Sequence, residues 1–203
     1  MFTDYENSSP HALVIEDGQL DFFPNFLDQK RADDLFQRIK KELPFQENQI
    51  VIFGKQLKVP RLEAYFSLNG ENYGYSGQTL INNPFPKFLD DLRLQIEATT
   101  GCQYNALLIN YYRDGQDSNG WHADNEKSLG KNPSIASLSL GAERNFELRH
   151  MESKKKIKLK LTQGSLLHMH GALQHHWKHQ LPKVKDLKAA RINLTFRLIL
   201  ASS

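Results

Sequence analysis

The segment Asn119-Gly120-Trp121-His122-Ala123-Asp124-Asn125-Glu126 follows a strand-like run and the turn residues Asp114-Gly115-Gln116-Asp117. His122 and Asp124 stand two apart, and on an extended chain such residues point to the same side, so both can reach one ion. Two imidazoles and one carboxylate cover one face of an octahedron and leave three positions open. Non-haem iron needs that arrangement to hold a co-substrate and oxygen together. The second imidazole must come from His168, His170, His175, His176 and His179. On an extended segment His175, Trp177 and His179 share one face, and His176 and Lys178 the other. Spacing does not choose among the five, and at most one is expected to bind the ion.

An H-x-D pair alone recurs in many chains, so its force depends on what accompanies it. In Arg191-Ile192-Asn193-Leu194-Thr195-Phe196-Arg197-Leu198 the period of two is strict, with Arg191, Asn193, Thr195 and Arg197 on one face and the apolar residues on the other. Such a strand is either an edge strand with its polar face in water or one wall of a polar barrel interior. In the second case the two arginines suit a dicarboxylate, because a guanidinium donates two parallel hydrogen bonds and stays charged when desolvated.

These residues need elements to hold them. A helix is predicted from the N-cap Asp28 to the stop at Pro44, with Leu35, Phe36, Ile39 and Leu43 at helical spacing. A second should run from about Pro86 to Thr100, with Phe88, Leu89, Leu92 and Ile96 on one face and Gly101 past its end. Short strand-like pieces lie between them, at Ile50 to Phe53, Arg61 to Phe66 and Tyr73 to Gly77. After Gly101 seven short strands are expected: Tyr104 to Tyr112, Ile135 to Leu140, Asn145 to Arg149, Ile157 to Leu161, Ser165 to Met169, His175 to Gln180 and Arg191 to Leu200. Evenly spaced short strands without helices between them indicate an antiparallel sandwich or jelly roll, with the two helices packed outside it: an α+β, mainly β fold.

The chain has 203 residues, and one domain is the simplest reading of that length. No apolar run approaches the ~18 residues of a membrane span. The polar, acidic start from Met1 to Pro10 is not expected to be a secretory leader. The single cysteine, Cys102, allows no internal disulfide and fits a reducing, intracellular setting. Net charge is uneven: residues 1–101 carry −5 and residues 102–203 carry +8. A basic half of that kind is what a polyanion-binding surface shows, although a solvated lysine-rich face shows it too. In Lys154-Lys155-Lys156-Ile157-Lys158-Leu159-Lys160-Leu161 the even-numbered lysines share a face, as phosphate-tracking or edge-protecting residues would.

Together these residues resemble the AlkB family of nucleic-acid dealkylating dioxygenases, in particular its duplex-DNA-repair branch, over roughly Ile50 to Leu200. The combination H-x-D, a distal histidine and R-x-N-x-T-F-R carries the resemblance, and the stretch His176-Trp177-Lys178-His179-Gln180-Leu181-Pro182 favours His179 as the third ligand. The resemblance implies a double-stranded β-helix with outer helices and an N-terminal nucleotide-recognition region, so that residues 1–101 support a catalytic core over 102–203. It implies iron(II) on His122, Asp124 and His179, and 2-oxoglutarate held by Asn110, Tyr112, Arg191, Asn193 and Arg197. On the substrate side it implies Phe53 and Gly54 in a finger that enters the base stack, Tyr73 and Tyr75 around the flipped base, and Glu126 beside its cationic ring. The implied reaction is oxidative demethylation of 1-methyladenine or 3-methylcytosine in DNA with O2 as oxidant, releasing succinate, carbon dioxide and formaldehyde. The implied protein is a monomer of the cytoplasm, or of the nucleus in a eukaryote, with no membrane partner. An RNA demethylase, a protein or small-molecule hydroxylase, and a cupin-like metal-binding module without turnover are the alternatives. The loop before the lysine-rich strand is shorter than in animal relatives of that branch, which bears on contacts with the undamaged strand.

Overall fold

A computed structural model describes residues 2–4, 11–52, 55–75 and 78–200. Its elements begin with strands β1 (Phe2–Asp4), β2 (His11–Ile15) and β3 (Gly18–Phe23) and helix α1 (Gln29–Glu42). Strands β4 (Gln49–Ile52), β5 (Lys55–Lys58), β6 (Leu62–Ser67), β7 (Tyr73–Tyr75), β8 (Gln78–Leu80) and β9 (Asn82–Asn83) lead to helix α2 (Lys87–Thr100). Then follow β10 (Ala106–Tyr112), β11 (Asn119–His122), β12 (Ile135–Gly141), β13 (Arg144–His150), β14 (Lys156–Leu161) and β15 (Leu166–His170). The helical turn α3 (Leu173–His176) precedes β16 (Trp177–Leu181) and β17 (Arg191–Arg197).

The strands after α2 distribute between two facing sheets, β10, β12, β15 and β17 in the larger and β11, β13, β14 and β16 in the smaller. This is the expected jelly roll. The alternating strand β17 is no edge: it lies between β12 and β10, and all seven of its residues are buried. Its Ile192, Leu194 and Phe196 join Leu107 and Ile109 of β10 and Ala136, Leu138 and Leu140 of β12 in one apolar layer. Onto that layer α1 sets Ala32 and Ile39, and α2 sets Leu89, Leu92 and Ile96. Each Leu, Ile or Phe among them contributes roughly 1.5–3 kcal/mol when fully buried. The polar residues of β17 are thereby forced to the opposite face, toward the smaller sheet.

Both helices end as their sequences require. The Asp28 carboxylate accepts from the Arg31 amide at 2.8 Å, and Gly101 closes α2 in the left-handed region at φ 69°. Gly141, at the end of β12, has φ +81°, and a Cβ there would stand 2.5 Å from the Ala190 carbonyl oxygen and 2.7 Å from the Phe36 ring. Gly141→Ala is therefore expected to destabilise the fold by about 2–4 kcal/mol, from left-handed strain plus overpacking. Denaturant unfolding checks this, and a midpoint matching wild type would refute it.

Several expectations need correcting. The strand expected at His175 starts at Trp177, because His175 and His176 belong to α3, and the strand expected to reach Leu200 ends at Arg197. Tyr104 lies before β10, where its amide donates to Glu97 Oε1 at 2.7 Å. The N-terminal hairpin β2–β3 extends the larger sheet by pairing β3 with β15, and β6 extends it beyond β10. The lysine-rich β14 is not an edge either, since β1 runs parallel to it. No helix among the described residues is long and apolar enough to cross a membrane.

Candidate active site

Between the two sheets lies a cavity lined by the polar face of β17, by Asn110 and Tyr112 of β10, by Ser137 of β12, and by His122, Asp124 and His179 from the opposite side. Register makes the wall: Asn193 lies between Asn110 and Ser139, and Arg191 between Tyr112 and Gly141. Across from it His122 and His179 are paired on β11 and β16. Their rings stand 4.2 Å apart at 66°, and His122 Nε2 lies 3.9 Å from Asp124 Oδ1. One ligand atom from each of the three residues falls within 4.8 Å of the other two.

The surroundings prepare these atoms for a cation. His122 Nδ1 lies 2.7 Å from the Gly120 carbonyl, which takes its N–H and leaves a lone pair on Nε2. His179 is 3 % exposed, and burial, reinforced by His122, pushes its pKa down to about 3, so the ring stays neutral. Burial pushes the Asp124 carboxyl up, but the charge of Arg197 outweighs it and holds the pKa at about 2. Arg197 donates to Oδ2 from Nε at 3.2 Å and from Nη2 at 2.7 Å, while the buried Oδ1 has no hydrogen-bond partner. The Asp124 amide donates to Gln174 Oε1 at 2.9 Å, so the loop is fixed from α3. A buried orphan carboxylate oxygen beside two neutral imidazoles fits a divalent iron site.

Arg191 is the other poised group. Buried to 2 % exposure, it has its pKa pushed down to about 10 by desolvation, and its Nε makes no hydrogen bond. Ser139 Oγ accepts from its Nη2 at 2.9 Å, and the Tyr112 ring centroid lies 5.4 Å from its Cζ. A desolvated guanidinium with spare donors favours an anion. Asn193 donates to Ser137 Oγ at 2.8 Å and to the Leu138 carbonyl at 3.0 Å, which stiffens the wall between the two arginines.

A model of the 2OG-Fe(II) oxygenase superfamily matches residues 19–197. The DNA oxidative demethylase ALKBH2 of Bos taurus is 39 % identical over 85 % of this chain and 66 % of its own length, and its Arabidopsis thaliana namesake is 32 % identical over 96 % and 71 %. The chain belongs to the AlkB family. The alpha-ketoglutarate-dependent dioxygenase alkB homolog 3 of Bos taurus is 40 % identical over 87 % of the chain and 64 % of its own length, so identity does not separate the two AlkB branches. The chain spans about two thirds of the length of these relatives. The solved structure of OsALKBH1 covers 93 % of the chain and 100 % of its own with a TM-score of 0.65 at 19 % identity, a likeness of fold.

For the AlkB-family residues on the substrate side, the geometry is uneven. Glu126 begins the turn at Lys127–Leu129; its Oε2 is buried without a hydrogen-bond partner, and burial and then Asp124 raise its pKa. Tyr73 is buried and stacks on Tyr65 at 5.6 Å beside Leu108, which lines the cavity, and burial, opposed by the charge of Arg197, raises its pKa to about 12. Phe53 and Gly54 lie outside the described residues, and of Tyr75 only the backbone, in β7, is described. Arg61 was missed: it lines the cavity, donates to Asn110 Oδ1 at 2.8 Å and pairs with Glu63 at 2.8 Å. The alternation Arg61-Leu62-Glu63 held that signal.

Proposed function

We propose that this chain oxidatively demethylates N-alkylated bases of the 1-methyladenine and 3-methylcytosine type in DNA, a direct-reversal repair reaction. The carrying observation is one cavity that holds an orphaned Asp124 oxygen between two neutral histidines and, on the facing strand, a desolvated arginine. Iron(II) on His122, Asp124 and His179 supplies the oxidising chemistry, coupled to conversion of 2-oxoglutarate to succinate and carbon dioxide. Arg191 meets the far carboxylate of the co-substrate, Asn110, Tyr112 and Asn193 line its length, and Arg197 orients Asp124 and stands near the chelating end. Glu126 offers a carboxylate to a cationic ring, an attraction that the low dielectric strengthens. Tyr73, Tyr75, Phe53 and Gly54 keep the base-handling roles that their family positions imply. Residues 1–203 act as one dioxygenase domain, a monomer inside the cell where its DNA is.

The outer face of the smaller sheet supports a polyanion partner. Arg149 of β13 is flanked by Lys178 of β16 and Lys156 of β14, and its Cζ stands 4.7 Å from the Trp121 ring centroid. Cations interleaved with an aromatic ring suit a phosphate backbone.

The test supplies iron(II), ascorbate and 2-oxoglutarate with methylated oligonucleotides as duplex DNA, single-stranded DNA or RNA. Formaldehyde and succinate are expected in equal amounts on DNA, with KM for DNA rising as salt is added. Turnover on RNA alone would make the chain an RNA demethylase, and no succinate on any substrate would leave a metal-binding module.

A further inference from the structure

Among the described residues two histidine–aspartate clusters lie outside the cavity, Asp17 with His150 and His176, and Asp21 with His168 and His170. In the first, both ring nitrogens of His150 are already engaged. His150 Nδ1 accepts from the Glu152 and Ser153 amides at 3.2 and 3.0 Å, so its proton sits on Nε2, which faces Asp17 Oδ2 at 3.3 Å. A protonated nitrogen offers no lone pair to a metal.

The second cluster is different. His168 and His170 project from the same side of β15, their rings stacked 4.4 Å apart, and His168 stands directly opposite Asp21 of β3. His168 Nδ1 lies 3.1 Å and His170 Nε2 2.9 Å from the single oxygen Asp21 Oδ2. Yet His170 Nε2 lacks the alignment of a hydrogen bond and, enclosed by protein, has no hydrogen-bond partner. Around a tetrahedral ion with bonds of about 2.0–2.2 Å, neighbouring donor atoms stand roughly 3.3 Å apart. The two separations from Asp21 Oδ2 are close to that, and the three ligand atoms lie within 4.8 Å of one another.

The far nitrogen of His168 has the partners that a ligating imidazole requires. Nε2 lies 2.8 Å from Ser134 Oγ, which lies 3.0 Å from Tyr104 Oη; Tyr104 donates to Thr100 Oγ1 at 3.1 Å, and Thr100 to the Ile96 carbonyl at 3.0 Å. Every hydroxyl in this line can donate onward, so Nε2 can hold the proton and free Nδ1 for an ion. Burial, then His170, lowers the His168 pKa, which keeps the ring neutral. Asp21 and His170 remain partly exposed, at 29 % and 27 % of their side chains, so the cluster lies near the surface.

We propose that Asp21, His168 and His170 form a second metal site, distinct from the catalytic one, that takes a zinc-like divalent ion and fastens the N-terminal hairpin to the jelly roll. Mixed imidazole and carboxylate ligands in a small tetrahedral set select zinc and its neighbours over magnesium or calcium. Met169, on the other face of β15, lines the catalytic cavity, so the ion would sit one strand's thickness behind it.

The test is equilibrium dialysis of the metal-stripped full chain against zinc. The paired variant His122→Ala/Asp124→Ala is expected to bind one equivalent, to gain thermal stability with zinc, and to give a tetrahedral visible spectrum with cobalt(II). Adding His170→Gln, or separately Asp21→Asn, should remove all three responses, with circular dichroism showing that each variant stays folded. Adding His176→Gln should change none. No binding by the paired variant, binding that survives both His170→Gln and Asp21→Asn, or loss caused by His176→Gln would each overturn the site.

Discussion

His179→Ala is expected to leave a protein that retains no stoichiometric iron and turns over at background, whereas His176→Ala keeps both within about twofold of wild type. Losing an outer partner of a metal ligand costs about 10–100-fold, and losing the ligand itself should cost more. The two histidines are three residues apart but belong to different environments. His179 faces His122 across the β11–β16 pair and is 3 % exposed, while the His176 side chain is 38 % exposed and stacks on His150 at 6.0 Å. Iron titration under anaerobic conditions reads the difference directly. Iron lost only from the His176 variant would move the third ligand.

Arg191→Met should raise KM for 2-oxoglutarate by roughly 30-fold to several thousand-fold, the equivalent of about 2–5 kcal/mol for one member of a buried charge pair. Lysine should rescue little, since a point charge cannot reproduce the fork. Iron binding should persist, because Arg191 does not touch Asp124. The same change should leave the melting temperature of the co-substrate-free protein unchanged or higher. With no carboxylate among the described residues paired with it, Arg191 is a desolvation cost to the fold, and an apolar side chain of similar length relieves it. Added 2-oxoglutarate should then stabilise wild type but not the variant. A variant that loses stability while its KM stays put would make Arg191 a structural residue.

Much of the site was legible because its geometry is periodic. The alternation of Arg191 to Arg197 fixes which side chains share a face whatever the strand's neighbours, and the jelly roll puts that face inward. What periodicity cannot give is which strand lies opposite. His179 was singled out by resemblance, and only the pairing of β16 with β11 gives it a physical reason. Strand β11 was not counted as a strand because it is four residues long, contains Gly120 and shifts register against β16. The β2–β3 hairpin escaped although Asp17-Gly18 lies between apolar runs; Ile15 pairs with Gly18, so the loop residues are Glu16 and Asp17, and Asp17 takes the positive φ, 53°. Arg61 lies just before β6, and only burial separates a cavity-lining arginine from a surface one.

The grip of Arg197 on Asp124 has a consequence for denticity. Both guanidinium contacts fall on Oδ2, so with iron held on the proposed residues Asp124 would have only Oδ1 free to offer it. A bidentate aspartate would claim a fourth coordination position and leave two, enough for a chelating keto acid but not for dioxygen as well. By occupying Oδ2, Arg197 would thus keep Asp124 from filling a position that the reaction needs open.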